Sequence, residues 1–363
     1  MNILVPSLGS TSLKYQLIAM PDERVVARGK QERVTDYPAA IRAIDPGGAT
    51  VDAVAFKTVH GGPGYRGTYR VDSSVIAALD EFLPAAPIHN AIYLTGILAF
   101  SGAMPGVPLV AAFETEFHAA LPDRAARYGV PVEWRERYGV ARYGFHGASH
   151  RYVSEYAAQL LGYSGRVVSC HLGGSASICA ADRGMSIDIP TGCSPESGFE
   201  SAARHGGLDA FAVLYMMRRL NRDAAAMSKL LASQAGLAGL SGIAGGDLRE
   251  IKAGAAGGDA NAAMALELFA YQIRKAIGAY AAAMGGIDAI AFTGATGENS
   301  AGLRERACAG LEFLGVNPNG ARNHGGTGGR IVSAEGSGVR VFTLTTNEEI
   351  VVARRAYRCL MES

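Results

Sequence analysis

Three short runs rich in glycine and small polar residues stand out in the 363-residue sequence as places where a backbone could close on an anion. They are Gly9-Ser10-Thr11-Ser12-Leu13-Lys14, His171-Leu172-Gly173-Gly174-Ser175, and Thr293-Gly294-Ala295-Thr296-Gly297-Glu298-Asn299-Ser300. Small side chains at a tight turn leave N–H groups and hydroxyls unobstructed, so a phosphate can approach closely. His146 and His150 are four apart, a spacing that on one helix would suit a shared metal. Gly147 and Ser149 lie between them, and the helical pattern starts only near Ser149, with Tyr152, Val153, Tyr156, Leu160 and Leu161. His146 is thereby predicted in the loop before the helix, better placed for an anion than for a metal pair.

Other chemistries are excluded by what is missing or misplaced. No GxxxxGK[ST] run or Gly-x-Ser-x-Gly element occurs, so neither a Walker-type phosphate loop nor a hydrolase elbow is present. Gly62-Pro63-Gly64-Tyr65-Arg66-Gly67 matches GxGxxG. Pro63 and the following Thr68-Tyr69-Arg70-Val71 point to a loop entering a strand, not to a dinucleotide-binding turn entering a helix. The five cysteines are odd in number and form no CxxC pair, which fits a reducing cytoplasm and no structural zinc. With 34 basic and 33 acidic residues, bulk charge gives no reason to expect nucleic acid as a partner.

The elements that must position these residues follow from pattern. Glycine makes up 47 residues, roughly 13% of the chain against ~7% in ordinary proteins. The apolar fraction of 48% is that of a packed protein, and the length favours two domains. Asn2 to Lys14 and Arg166 to Ile178 each read as an apolar strand, a Leu-Gly turn with small residues, and a return strand, suggesting two related halves. Residues 260 to 284 carry apolar side chains at helical spacing, ending at Gly285-Gly286. Ile287 to Phe292 is predicted as a buried strand running into a glycine loop, with Ser300 as N-cap of a helix near residues 301 to 313. No charge occurs between Phe82 and Phe113, but prolines and glycines break the run. It therefore reads as a buried helix near residues 90 to 103 and a strand from Pro108 to Phe113, with no membrane span. The N-terminus lacks the basic and long apolar regions of a secretory signal. The fold class expected is α/β.

Taken together, the chain resembles the acetate kinase family from end to end. The resemblance is carried by Gly9 to Leu17, Val59-His60-Gly61-Gly62, Ala86-Pro87-Ile88-His89-Asn90 and Phe113-Glu114-Thr115-Glu116-Phe117-His118. It continues through Arg142 to His150, His171-Leu172-Gly173, Gly297-Glu298-Asn299-Ser300 and Thr346-Asn347-Glu348-Glu349. The resemblance implies two related domains of the actin-like ATPase (ribonuclease H-like) type with a nucleotide cleft between them. The first domain would hold residues 1–118 plus the returning C-terminal helix, 350–363, and the second residues 119–349. It implies Mg²⁺-dependent phosphoryl transfer between ATP and a short-chain carboxylate, giving acyl phosphate and ADP, in a homodimer.

By the same resemblance, Arg204 and His146 face the transferring phosphoryl group, and Lys14 serves the first phosphate loop. Glu348 and Ser7 stand at the positions that set the metal. His171, Leu172, Gly173, Gly174 and Ser175, with Asp247, Leu248 and Arg249 and with Ala295, Thr296, Gly297, Glu298 and Asn299, form three nucleotide loops. Several positions depart from the family. Ser7 replaces an asparagine, Lys57 a substrate-binding arginine, and Glu114 the catalytic aspartate. Lysine keeps the charge but loses the planar fork that grips a carboxylate in two bonds. Glutamate keeps the acid but displaces it by about an ångström. Conserved charge type favours a working carboxylate kinase; the alternative is a catalytically impaired nucleotide-binding homologue with a regulatory role.

Overall fold

The computed structural model describes every residue except Ser10, Thr327 and Ser363; Ser10, in the first glycine-rich turn, thus lies outside the described residues. Two six-stranded sheets of the same wiring organise the chain. In the first, β1 (Asn2–Gly9), β2 (Ser12–Ala19) and β3 (Arg24–Glu32) run antiparallel, and β1 then pairs in parallel with β4 (Ala53–Phe56). Next come β6 (Leu109–Ala112), parallel to β4, and β5 (Thr68–Arg70) at the edge. In the second, β7 (Arg166–Leu172), β8 (Ala176–Asp182) and β9 (Met185–Asp188) repeat the antiparallel meander. Parallel β10 (Ala289–Thr293) and β12 (Arg340–Thr343) follow, with β11 (Arg330–Ile331) outermost. The two hairpins expected from sequence are β1–β2 and β7–β8, at equivalent places in the two sheets.

Each sheet is covered on both faces, which is why its central strands read as continuous apolar runs instead of alternating ones. Ile290 and Phe292 of β10 meet Phe269, Ile273 and Ile277 of the helix Ala260–Met284. Ala289 and Ala291, on the opposite face, meet Val153 and Ala157 of the helix Gly147–Leu161. In the first sheet, Leu4 and Val54 share a core with Ile97 and Phe100 of the helix Pro87–Ala103. Ile3, Val5, Ala53 and Ala55 pack beneath Val351, Val352 and Ala356 of the helix Glu348–Met361.

The helix Ala260–Met284 ends where Gly285 turns left-handed, as expected. The segment after β10 differs from expectation. Gly294–Asn299 is a short helix, not a loop, because Gly294 takes φ +77° and closes on the Leu172 carbonyl, turning the chain at once. Ser300 stands at the N-cap of the next helix, as expected, but its side chain makes no capping bond and accepts a hydrogen bond from Lys252 Nζ at 2.6 Å. The following helix stops at Cys308, and a separate turn covers Glu312–Leu314.

Candidate active site

The site grows from the carboxyl ends of the parallel strands and the turns beside them. Lys57 follows β4, and Glu114 follows β6. Glu114 is almost fully buried, and neither carboxylate oxygen has a hydrogen-bond partner. Burial pushes its pKa up to about 7, with Lys57 pulling down and Glu348 pushing up. Lys57 is ion-paired with Glu348, the first residue of the helix Glu348–Met361. Burial opposes the charge on Lys57, but Glu348 and Glu114 outweigh it and hold its pKa above the ordinary value. On Glu348, burial is likewise outweighed by Lys57 and then His171, so its pKa lies below the usual range. Both members are ionised.

Arg204 forms the second focus. Its guanidinium donates to Ser175 Oγ at 2.6 Å, to the Pro195 carbonyl at 3.2 Å and to His89 Nε2 at 2.8 Å, and its Nε lies 3.3 Å from Glu196. His89 belongs to the helix that covers the first sheet, so this contact joins the two halves of the molecule. His146 sits at the N-cap of the helix Gly147–Leu161 with φ +56°. Its Nδ1 is 2.7 Å from Ser177 Oγ, its Nε2 is 3.2 Å from Ser175 Oγ, and its ring stacks on His171 at 4.5 Å. Burial, then His171, His150, Arg204 and Lys57, keep His146 well below the ordinary histidine pKa, so it is neutral.

The three expected nucleotide loops converge on one cavity of about 590 Å³. Gly173, Gly174, Asp247, Leu248, Arg249, Ala295, Thr296 and Asn299 line it. His171, Leu172, Ser175, Gly297 and Glu298 do not. His171 is held by Ser149 Oγ at 2.8 Å, and Leu172 is buried in the second core. Gly297 packs toward β10, and Glu298 accepts from Thr345 Oγ1 at 2.7 Å. Asp247 caps the helix Leu248–Ala256 and pairs with the exposed Arg249, so the ion pair is at the cavity wall. Ser7 and Lys14, directly opposite in the β1–β2 register, line a separate cavity of about 360 Å³ with Glu349. Glu349 thus faces the cavity of Ser7 and Lys14, while Glu348 is paired with Lys57.

Four contributors were not singled out from sequence. Lys252 lines the nucleotide cavity; three residues beyond Arg249 on a helix capped by Asp247, it shares that residue's face, a signal the spacing carried. Ser177 is directly opposite His171 in the β7–β8 register, which the paired hairpins could have revealed. His89 lies within a motif noted for resemblance, and Glu196 within a stretch noted for departure; neither signalled its bond to Arg204, because the partner is more than a hundred residues away or lies across an irregular turn.

Comparisons with known proteins give the family. The model of the acetokinase family matches residues 39–354. The chain is 37% identical to the acetate kinase of Shouchella clausii, with 98% of each chain covered, and 38% identical to that of Thermotoga maritima, covering 98% of this chain and 97% of the relative. The crystal structure of Porphyromonas gingivalis acetate kinase superposes with a TM-score of 0.88 at 33% identity, covering 99% of both chains. A propionate kinase from Francisella tularensis gives 0.89 at 27% identity over 98% of both. The fold is accordingly that of the two-domain actin-like ATPases, and the chain belongs to the acetokinase family.

Proposed function

We propose that this protein is a carboxylate kinase that moves the γ-phosphoryl group of ATP reversibly onto acetate or a closely related short-chain acid, giving an acyl phosphate and ADP. The observation that carries this reading is the convergence of ionised Lys57 and Glu348, buried Glu114 and His146, with Arg204 bridged to His146 by Ser175, the residue that follows the cavity-lining Gly173 and Gly174. A carboxylate with pKa near ~4 to 5 is already ionised at neutral pH, so the reaction needs no strong base. Its difficulty is bringing one anion against another in line. As a carboxylate oxygen bonds to the γ-phosphorus, the bond to the bridging oxygen of ADP breaks, and Arg204 supplies positive charge where negative charge is spread over the phosphoryl oxygens. We assign substrate carboxylate binding to Lys57, and catalysis to Glu114, His146 and Arg204. Lys14 and the three cavity-lining loops hold the nucleotide.

We also assign a role to Mg²⁺. Hard carboxylate and hydroxyl oxygens at Glu348 and Ser7 suit the ion, and unpartnered Glu114 adds acceptor capacity nearby. Among the described residues, no three His, Cys, Asp or Glu side chains are grouped to hold a metal. That fits an ion whose remaining ligands are phosphate and water. When bound, it would screen the charge of the phosphates. The domain division 1–118 plus 350–363 and 119–349 is supported by the packing of the last helix on β1 and β4. A homodimer is supported by the helix Ala210–Leu220, which buries no side chain and leaves Phe211 78% exposed. The cytoplasm suits five cysteines that form no CxxC pair, in a chain with no helix among the described residues long and apolar enough to cross a membrane.

The test is hydroxylamine trapping of acyl phosphate in the presence of ATP, Mg²⁺ and a panel of short carboxylates. Acetate or a near homologue is expected to give hydroxamate well above an enzyme-free blank. No product with any acid, together with thermal stabilisation by ADP, would instead identify a nucleotide-binding protein without kinase activity.

A further inference from the structure

The buried histidines of this protein are held in two different ways. His60 and His118 each have a backbone carbonyl on Nε2, from Cys193 at 2.9 Å and Phe145 at 3.1 Å. A carbonyl only accepts, so both rings are locked with the proton on Nε2. His146 and His150 are bound by hydroxyls alone. Ser177 Oγ lies 2.7 Å from His146 Nδ1 and 2.7 Å from His150 Nε2, and Ser169 Oγ lies 2.9 Å from His150 Nδ1. A hydroxyl donates one hydrogen bond and accepts two, so it can satisfy either tautomer of a neutral imidazole.

The direction of this chain is set at its far end. Arg204 can only donate, and its bond to Ser175 Oγ polarises that hydroxyl toward His146 Nε2. A proton on Nε2 would instead make Ser175 Oγ accept from both His146 and Arg204 and leave its own hydrogen without an acceptor among these groups. With Arg204 on Ser175, the favoured sequence of donors is therefore Arg204, Ser175, His146 through Nδ1–H, Ser177, His150 through Nδ1–H, and Ser169. With an anion on Arg204, the preference inverts. Nε2–H then donates to the anion, Ser177 donates to Nδ1, and His150 donates through Nε2–H to Ser177. Each imidazole keeps one proton and each serine one hydroxyl hydrogen, with exchange through solvent, so no net charge is gained in the buried site. Burial makes this matter, since an imidazolium there is costly.

We propose that Ser177 and His150 are positioning residues that set which nitrogen of His146 carries its proton, and so whether Nε2 accepts from Ser175 or donates to an anion held by Arg204. The inference rests on the carboxylate kinase reading for its use in turnover, but the tautomers themselves can be measured without any reaction. Long-range ¹H–¹⁵N correlation spectra of protein labelled in histidine distinguish the two forms, with His146 assigned from a His146→Asn variant. The free protein is expected to show His146 protonated at Nδ1, and addition of Mg²⁺ with the β,γ-imido analogue of ATP to shift it to Nε2. Ser177→Ala is expected to abolish that preference and lower kcat about ten-fold, the scale on which partners of functional histidines act. KM for nucleotide and carboxylate should change less than about two-fold, and Ser177→Thr, which keeps the hydroxyl, should restore kcat. The same tautomer with and without the analogue, or a Ser177→Ala protein with wild-type tautomer and kcat, overturns the proposal. Should Ser177→Ala fail to fold, the wild-type spectra alone decide. Loss of the kinase reading would show separately, as absence of acyl phosphate from the wild-type protein.

Discussion

At the scale of single residues, Glu114 and the Lys57–Glu348 pair dominate, because they are charged groups withdrawn from water. The raised pKa of Glu114 has a defined consequence for stability. The folded protein binds this proton up to about pH 7, whereas an unfolded glutamate releases it near its ordinary value of 4.5. The folded state therefore holds more protons in that window, and stability falls as pH rises from 4.5 toward 7. Glu114→Gln should remove this loss, so that the fall in Tm between pH 5 and pH 8 is smaller in the variant than in the wild type. Its kcat should drop by about a hundred-fold or more if the carboxyl contributes as a catalytic group does. Lys57→Met leaves Glu348 buried without its cation. Breaking a buried pair in this way costs roughly 3 kcal/mol, to be read as a lower urea midpoint with an unchanged m value.

At the scale of elements, the helix Gly147–Leu161 sets how Glu114 and His146 sit relative to each other. Its N-terminal residue donates its N–H to the Glu114 carbonyl at 3.1 Å, and His146 precedes it in a left-handed conformation. Any Cβ on Gly147 would clash with that same carbonyl oxygen. Gly147→Ala is accordingly expected to push the helix start away from Glu114. A loss of about 1–3 kcal/mol in unfolding free energy should accompany a fall in kcat, whereas Ala substitution at Gly302, where a Cβ meets nothing within 4 Å, should be neutral in both. The sequence predicted this helix and placed His146 just before it. It misread the segment after β10, because only the position of the Leu172 carbonyl makes the left-handed turn at Gly294 close into a helix at once.

At the scale of the whole molecule, ligand binding and self-association are the measurable consequences. A ligand that binds only the folded state adds RT ln(1 + [L]/Kd), about 2.7 kcal/mol at a hundred-fold excess over Kd. ADP with Mg²⁺ should raise Tm accordingly, and Gly174→Val, at the cavity wall, should diminish the shift. The exposed apolar face of Ala210–Leu220 carries Phe211, Leu214 and Tyr215. The proposed homodimer is expected to appear as a dimer in light scattering after size exclusion, and Phe211→Glu with Leu214→Glu to convert it to a monomer.

The sequence by itself determined the local units: two hairpins with glycine turns, the long helix ending at Gly285, the identity of the charged residues, and a family resemblance covering the whole chain. These depend on periodicity, turn chemistry and residue type, all of which are properties of short segments. Only the tertiary structure decided which charges meet. Lys57 and Glu348 are 291 residues apart, and Arg204 reaches His89 across 115. It also decided that Gly297 and Glu298 turn away from the cavity their neighbours line, and that serine hydroxyls, not carbonyls, flank His146. A pKa, an ion pair and a tautomer arise from burial and from neighbours brought close by tertiary packing, and no short segment contains those neighbours.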